Sequence, residues 1–184
     1  MEFTTDYENR TAAVADLFTA TFTATAGAQE GALIGKLVRR LMAETPEEDI
    51  RVFLAVDDGV LVGGIFFSRL SYERDTRAVF VLGPVAVATE RQRRGIGQEL
   101  IAYGLERLRR EGMDIAVTYG DPDFYGRIGF KAITQADIPA PFALQYPEGW
   151  LGLSLTDTAA APMGQTPLAG AAHCVAALDD PVFW

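Results

Sequence analysis

Residues 91–100 read RQRRGIGQEL. Arg91, Arg93 and Arg94 crowd together, and Gly95 and Gly97 then bracket an isoleucine where an apolar, helix-like pattern opens. The chain as a whole carries a formal net charge of -9 over 184 residues, so positive charge gathered beside bare backbone needs a reason. The first amides of a helix have no internal partner, and a helix N-terminus carries partial positive charge. Glycine lets a ligand approach that backbone and permits dihedrals that other residues avoid. Together these features predict an anion site suited to a phosphate or pyrophosphate. The dinucleotide fingerprint is a poorer fit, since no third glycine follows at the required place. A second glycine pair, GALIGK at 31–36, is one residue short of a phosphate-binding P-loop, lacks its Ser or Thr, and lies within a helical pattern.

Working outward, residues 77–87 (RAVFVLGPVAV) predict a buried strand entering the motif. Residues 97–112 leave it as a helix with Leu100, Ile101, Leu105 and Leu108 on one stripe and Gly112 as its stop. Upstream, the apolar runs 50–58 and 60–72 flank Asp58-Gly59, a strong hairpin signal. Glu73-Arg74-Asp75-Thr76 is then read as the turn before the next strand. Residues 10–25 and 29–43 predict two helices, and residues 1–8 a short first strand. Downstream, 113–120 predict a buried strand. Residues 121–130 (DPDFYGRIGF) predict a short helix with Asp121 as cap and Pro122 near its first turn. Residues 129–133 and 150–156 predict strands, 136–149 and 157–167 loops, and 168–178 either strand or helix. The strands are apolar on both faces, so the sheet is expected to be covered on both sides.

Composition removes several alternatives. An acidic chain is poorly suited to general nucleic-acid binding, which needs Lys and Arg against phosphates. No apolar run reaches the roughly 18 residues that span a bilayer. No signal peptide is seen, and the single cysteine fits a reducing compartment, so a cytoplasmic location is expected. With one histidine, His173, and one cysteine, Cys174, adjacent in sequence, no metal site is expected, and neither residue is expected to carry catalysis.

Gln92-Arg93-Arg94-Gly95-Ile96-Gly97 matches Q/R-x-x-G-x-G/A, and Tyr125-Gly126-Arg127-Ile128-Gly129-Phe130 matches Y-x-x-x-G-F. In these motifs and their spacing the chain resembles the GNAT superfamily of N-acetyltransferases. The stretch 120–130 (GDPDFYGRIGF) is similar to a bacterial subgroup with G-D-P-x-F/Y-Y-x-R-F-G-F. The resemblance is specific over 79–130 and implies little for 134–184.

That resemblance implies one α/β domain over 1–184. Its mixed, largely antiparallel central sheet would be splayed at the cofactor cleft, with helices on both faces. It implies acetyl-CoA as co-substrate, with the pyrophosphate on the amides of Gln92, Arg93, Arg94, Gly95, Ile96 and Gly97. The pantetheine arm would lie along Val85, Ala86 and Val87, with Gly83-Pro84 as a bulge and the Val85 amide polarising the thioester carbonyl. Tyr125 would meet the cofactor and protonate the leaving thiolate, since a phenol with pKa near 10 donates at neutral pH. An attacking alkylamine must lose a proton, yet residues 77–89 hold no carboxylate or histidine. By chain order Glu73 is the expected general base, with Asp75 and Glu90 behind it. One departure is Thr118, where many members carry an asparagine. The expected activity is acetyl transfer to a primary amine by direct attack in a ternary complex. The acceptor would be a small molecule or a peptide, with no nucleic-acid or membrane partner, and a homodimer is left open. The alternative is a non-catalytic acyl-CoA-binding module of the same fold, and a weaker third reading is another nucleotide-phosphate enzyme.

Overall fold

The computed structural model describes residues 1–156 and 167–184; of the loop expected at 157–167, all but Pro167 lies outside them. The strands are β1 (Glu2–Thr4), β2 (Ile50–Asp57), β3 (Val60–Tyr72), β4 (Asp75–Val87), β5 (Ile115–Tyr119), β6 (Lys131–Ala132), β7 (Trp150–Ser154) and β8 (Ala172–Cys174). The α-helices are α1 (Thr11–Ala26), α2 (Ala28–Glu44), α3 (Ile96–Arg110) and α4 (Pro122–Gly126). Hydrogen bonding orders the strands β1-β2-β3-β4-β5-β7-β6, with β8 paired to β3. The sheet is mixed because β4 and β5 run parallel, while the β1–β2, β3–β8, β5–β7 and β6–β7 pairs are antiparallel. Packing groups the chain into two compact units, Met1–Phe67 with Gly83–Gly104, and Ser68–Leu82 with Leu105–Trp184.

In the first unit, Asp58 and Gly59 have φ of 50° and 81°, the paired left-handed values that a two-residue hairpin demands. Adjacent residues of β3 face opposite ways. Phe66 accordingly meets Phe18 of α1 edge-on at 5.3 Å, and Phe67 meets Phe53 at 6.1 Å on the other face. There α3 lies close, since a Cβ at Gly104 would come within 2.8 Å of the Phe67 ring. The expected cover on both faces therefore holds here. The GALIGK stretch also finds its explanation. A Cβ at Gly31 would fall 1.9 Å from Thr23 Oγ1, and one at Gly35 2.1 Å from Thr19 Oγ1. Two glycines one turn apart let α2 lie directly on two α1 threonines one turn apart. The pattern is a helix-packing seam.

In the second unit, β4 pairs with β5 from Val79↔Ile115 to Leu82↔Thr118. Asp121 caps α4 by accepting from the Asp123 amide, with Pro122 inside the first turn. The buried Trp150 donates from its indole to the Ile138 carbonyl at 2.8 Å and meets Trp184 edge-on at 6.1 Å, so the Pro-rich segment and the C-terminal segment are fastened to β7. Several expected bounds tighten. The first strand is only three residues, the strand expected at 129–133 only two, and the turn after β3 is Glu73-Arg74. The ambiguous 168–178 segment is strand β8 followed by a 3-10 turn at Ala176–Leu178.

Candidate active site

The opening motif is a turn held together by its own backbone. After β4, the Ala88 amide donates to Val62 O at 2.9 Å, and a 3-10 turn, Thr89–Arg91, reverses the chain. Arg93 and Gly95 then adopt φ of 62° and 83°. Left-handed residues in such a turn aim successive N–H groups into a common hollow, the geometry of an anion nest. Among the described residues, the amides of residues 93–98 meet no backbone acceptor, and bonding into α3 begins with Glu99 N–H on Gly95 O at 3.0 Å. A side chain at Gly95 would meet only Glu99 Oε1, at 3.6 Å, so the approach to this backbone is open. Ile96 is buried and anchors the helix start. A backbone of this shape could hold an anion.

The three arginines divide. Arg91 donates to Asp57 Oδ2 at 2.9 Å, which commits its charge to the end of β2. Arg93 and Arg94 are exposed, and neither forms an ion pair among the described residues. The Gln92 carboxamide donates to Val87 O at 3.0 Å, folding the turn back on the end of β4.

Tyr125 sits in a nest of a different kind, made of side chains. Its ring lies edge-on to Phe124 at 5.0 Å and to Phe130 at 5.8 Å. A Cβ at Gly120 would fall 2.7 Å from that ring, so glycine is required beside it. Thr118 is fully buried and donates to Leu82 O at 3.0 Å, the last residue of β4 in register with β5. Burial pushes the Tyr125 phenol above its usual value, hydrogen bonding with Thr118 opposes this, and the Asp121 carboxylate adds to the rise. The phenol is thus held protonated, the state a proton donor needs. Where the resemblance led one to expect asparagine, a threonine hydroxyl serves both the strand carbonyl and the phenol.

Glu73 is not brought to this nest. It lies on the turn before β4, and β4 runs from Asp75 to Leu82 before reaching Thr118, roughly 23 Å of extended strand. Glu73 instead faces His173 Nε2 at 3.5 Å, both side chains being exposed. Asp75 is held by Arg77 through a 2.6 Å bond, and that hydrogen bonding keeps its carboxyl below the usual range, so it is a poor base. Glu90 is exposed on the turn after β4. Burial raises the Cys174 thiol to about 11, which leaves it a weak nucleophile. Among the described residues no cluster of His, Cys, Asp or Glu could hold a metal ion, and no helix is long and apolar enough to cross a membrane.

Two partners went unread in the sequence. Asp57 looked like part of a hairpin, and Thr21 like one more threonine in a helix; only its place on the buried stripe with Val14 and Phe18 marked it.

The fold is a mixed α/β sheet with helices, of the kind found in one family of transferase domains. The family model of the acetyltransferase (GNAT) domain matches residues 6–133, and the chain belongs to that family. It is 34% identical over 108 residues to the uncharacterized N-acetyltransferase YjhQ of Escherichia coli (strain K12), covering 56% of this chain and 60% of that one. It is 29% identical over 82 residues to YhbS of the same strain, covering 45% of this chain and 49% of that one. The matches thus span from about half to three-fifths of these relatives' lengths. Among solved structures, the fold is similar to YhbS from Escherichia coli in complex with CoA, with a TM-score of 0.79, 20% identity, and 97% and 92% of the two chains covered. It is also similar to a GNAT acetyltransferase from Brucella melitensis in complex with acetyl-CoA, with a TM-score of 0.70, 26% identity and 97% of both chains covered.

Proposed function

We propose that this chain is an acetyl-CoA-dependent N-acetyltransferase acting on a primary amine of a small molecule or a peptide. The observation that carries the reading is the turn at residues 93–98, whose amides have no backbone acceptor among the described residues and open onto a glycine. Such an array suits a pyrophosphate. Gln92, Arg93, Arg94, Gly95, Ile96 and Gly97 would hold that group, and Val85, Ala86 and Val87 would line the arm. Acetyl-CoA supplies an acetyl group activated as a thioester.

The chain's own residues then have separate tasks. The Val85 amide donates to the thioester carbonyl and favours charge developing on its oxygen. Tyr125 gives its proton to the departing sulfur and is helped by a setting that keeps the phenol neutral. The amine would attack directly, its nitrogen forming the new bond as the carbon–sulfur bond breaks, with its surplus N–H proton passing to water and a proton from solvent restoring Tyr125. The raised Cys174 thiol offers no competing covalent route. Glu73, expected from chain order to act as base, is limited by its distance along β4 to recognition of the acceptor or to a relay through water.

The test is a thermal-shift series followed by an amine screen. Acetyl-CoA and CoA should stabilise the fold by mass action where ATP and NAD do not. Acetylated product should then be detected by mass spectrometry from at least one amine or peptide. No stabilisation by either thioester or thiol form would end the reading. Stabilisation without any product would favour a binding module.

A further inference from the structure

Thr21 is a buried hydroxyl in the middle of α1, and its reach is not into its own helix. Thr19 and Thr25, its neighbours along that helix, return their hydroxyls to carbonyls one turn back, at 2.7 Å and 3.0 Å. Thr21 Oγ1 instead lies 3.5 Å from the carbonyl of Val87, at the end of β4. The same oxygen accepts the Gln92 carboxamide at 3.0 Å. A carbonyl oxygen has two lone pairs, so two side-chain donors leave it little capacity for a third.

The direction of the neighbouring groups gives this capping its meaning. The Ala88 amide donates to Val62 O, and a Cβ on Gly63 would lie 3.5 Å from Ala86 O, so even-numbered residues at the end of β4 face β3. Backbone groups alternate along a strand, so Val85 and Val87 face the opposite edge. On that edge the Val87 carbonyl is already claimed, while the Val85 carbonyl receives neither of these two donors.

Building on the cofactor reading above, we infer that Thr21, acting with Gln92, is a positioning residue that fixes the register of the pantetheine arm. By filling the Val87 carbonyl, the pair removes one of the two acceptors this edge offers at residues 85–87. An amide N–H of the arm is then directed to the Val85 carbonyl, one register and not two. Thr21 also ties α1 to the strand end that leads into the phosphate turn. Its effect passes through the Val87 carbonyl that it caps.

The experiment is calorimetric binding of two probes to wild type, Thr21→Val and Thr21→Ser. One probe is CoA; the other is 3′-phosphoadenosine 5′-diphosphate, which keeps the phosphates and lacks the arm. Loss of one net hydrogen bond predicts CoA affinity about 3- to 10-fold weaker in Thr21→Val, with the arm-free probe unchanged and Thr21→Ser close to wild type. Equal weakening of both probes, with a lowered melting temperature, would mean a merely structural role and would overturn the inference. Unchanged CoA affinity in Thr21→Val would overturn it too. Wild type that fails to bind CoA at all would overturn the cofactor reading itself, a result distinct from either.

Discussion

The turn at residues 88–97 and the nest around Tyr125 do their chemistry with different materials. The turn uses backbone: two left-handed residues, a run of amides without backbone acceptors, and a carbonyl that closes the loop. The nest uses side chains: two phenyl rings, a buried threonine and a glycine that makes room. Backbone sites hold charge that is already present, because amide dipoles are fixed and need no titration. The side-chain nest instead sets a protonation state, because burial and neighbouring groups act on a titratable phenol. The turn should therefore govern affinity and the nest should govern rate.

The largest expected break falls on the nest. Tyr125→Phe keeps the ring and removes the proton, so kcat should fall about 10²- to 10⁴-fold while the Kd for CoA stays within about twofold. Because burial raises the phenol, wild type should keep its acid through the range where an alkylamine loses its proton. The rate should then climb with pH and turn down only beyond the usual range of a phenol. A downturn near pH 8, or a Tyr125→Phe variant that merely loses affinity, would contradict the division of labour.

A smaller effect is expected where the nest meets the sheet. Thr118→Val leaves the Leu82 carbonyl without its side-chain donor and removes the phenol's partner, so stability to urea should drop by about 1–3 kcal/mol. An unchanged denaturation midpoint would show that this hydroxyl carries no weight. The smallest effect belongs to the expected base. Glu73→Gln should change kcat by no more than about threefold, as is usual for an exposed pair such as the one it forms with His173. A loss of a hundredfold or more, measured with a confirmed acceptor, would return Glu73 to the reacting centre.

The same contrast explains what could be read from the chain. Gly95 and Asp58-Gly59 announce themselves, because left-handed backbone is nearly a glycine property and leaves a mark at fixed spacing. The helices and long strands follow from apolar periodicity. Tyr125 was singled out by motif resemblance, but its surroundings were not, since no local pattern says that Leu82 will meet Thr118. Glu73 was placed by chain order, which is not distance: the strand from Asp75 to Leu82 separates its turn from Thr118. The Arg91–Asp57 pair left no mark in the sequence, because Asp57 lies on another strand and no spacing rule links them. Thr21 was invisible as chemistry, since a threonine on a buried stripe looks like packing until its carbonyl partner is known.

The measurement closest to the central claim is a titration of CoA into wild type, Gly95→Val and Arg91→Ala. The turn is held to work through backbone, so a β-branched residue forced to a φ of 83° should disturb it most. A left-handed non-glycine residue costs about 1–2 kcal/mol, so affinity in Gly95→Val should fall about 5- to 30-fold. Arg91→Ala, which removes a charge already spent on Asp57, should stay within about threefold of wild type. Saturable binding in that order is the predicted result; Arg91→Ala weaker than Gly95→Val, or no binding by wild type, would contradict it.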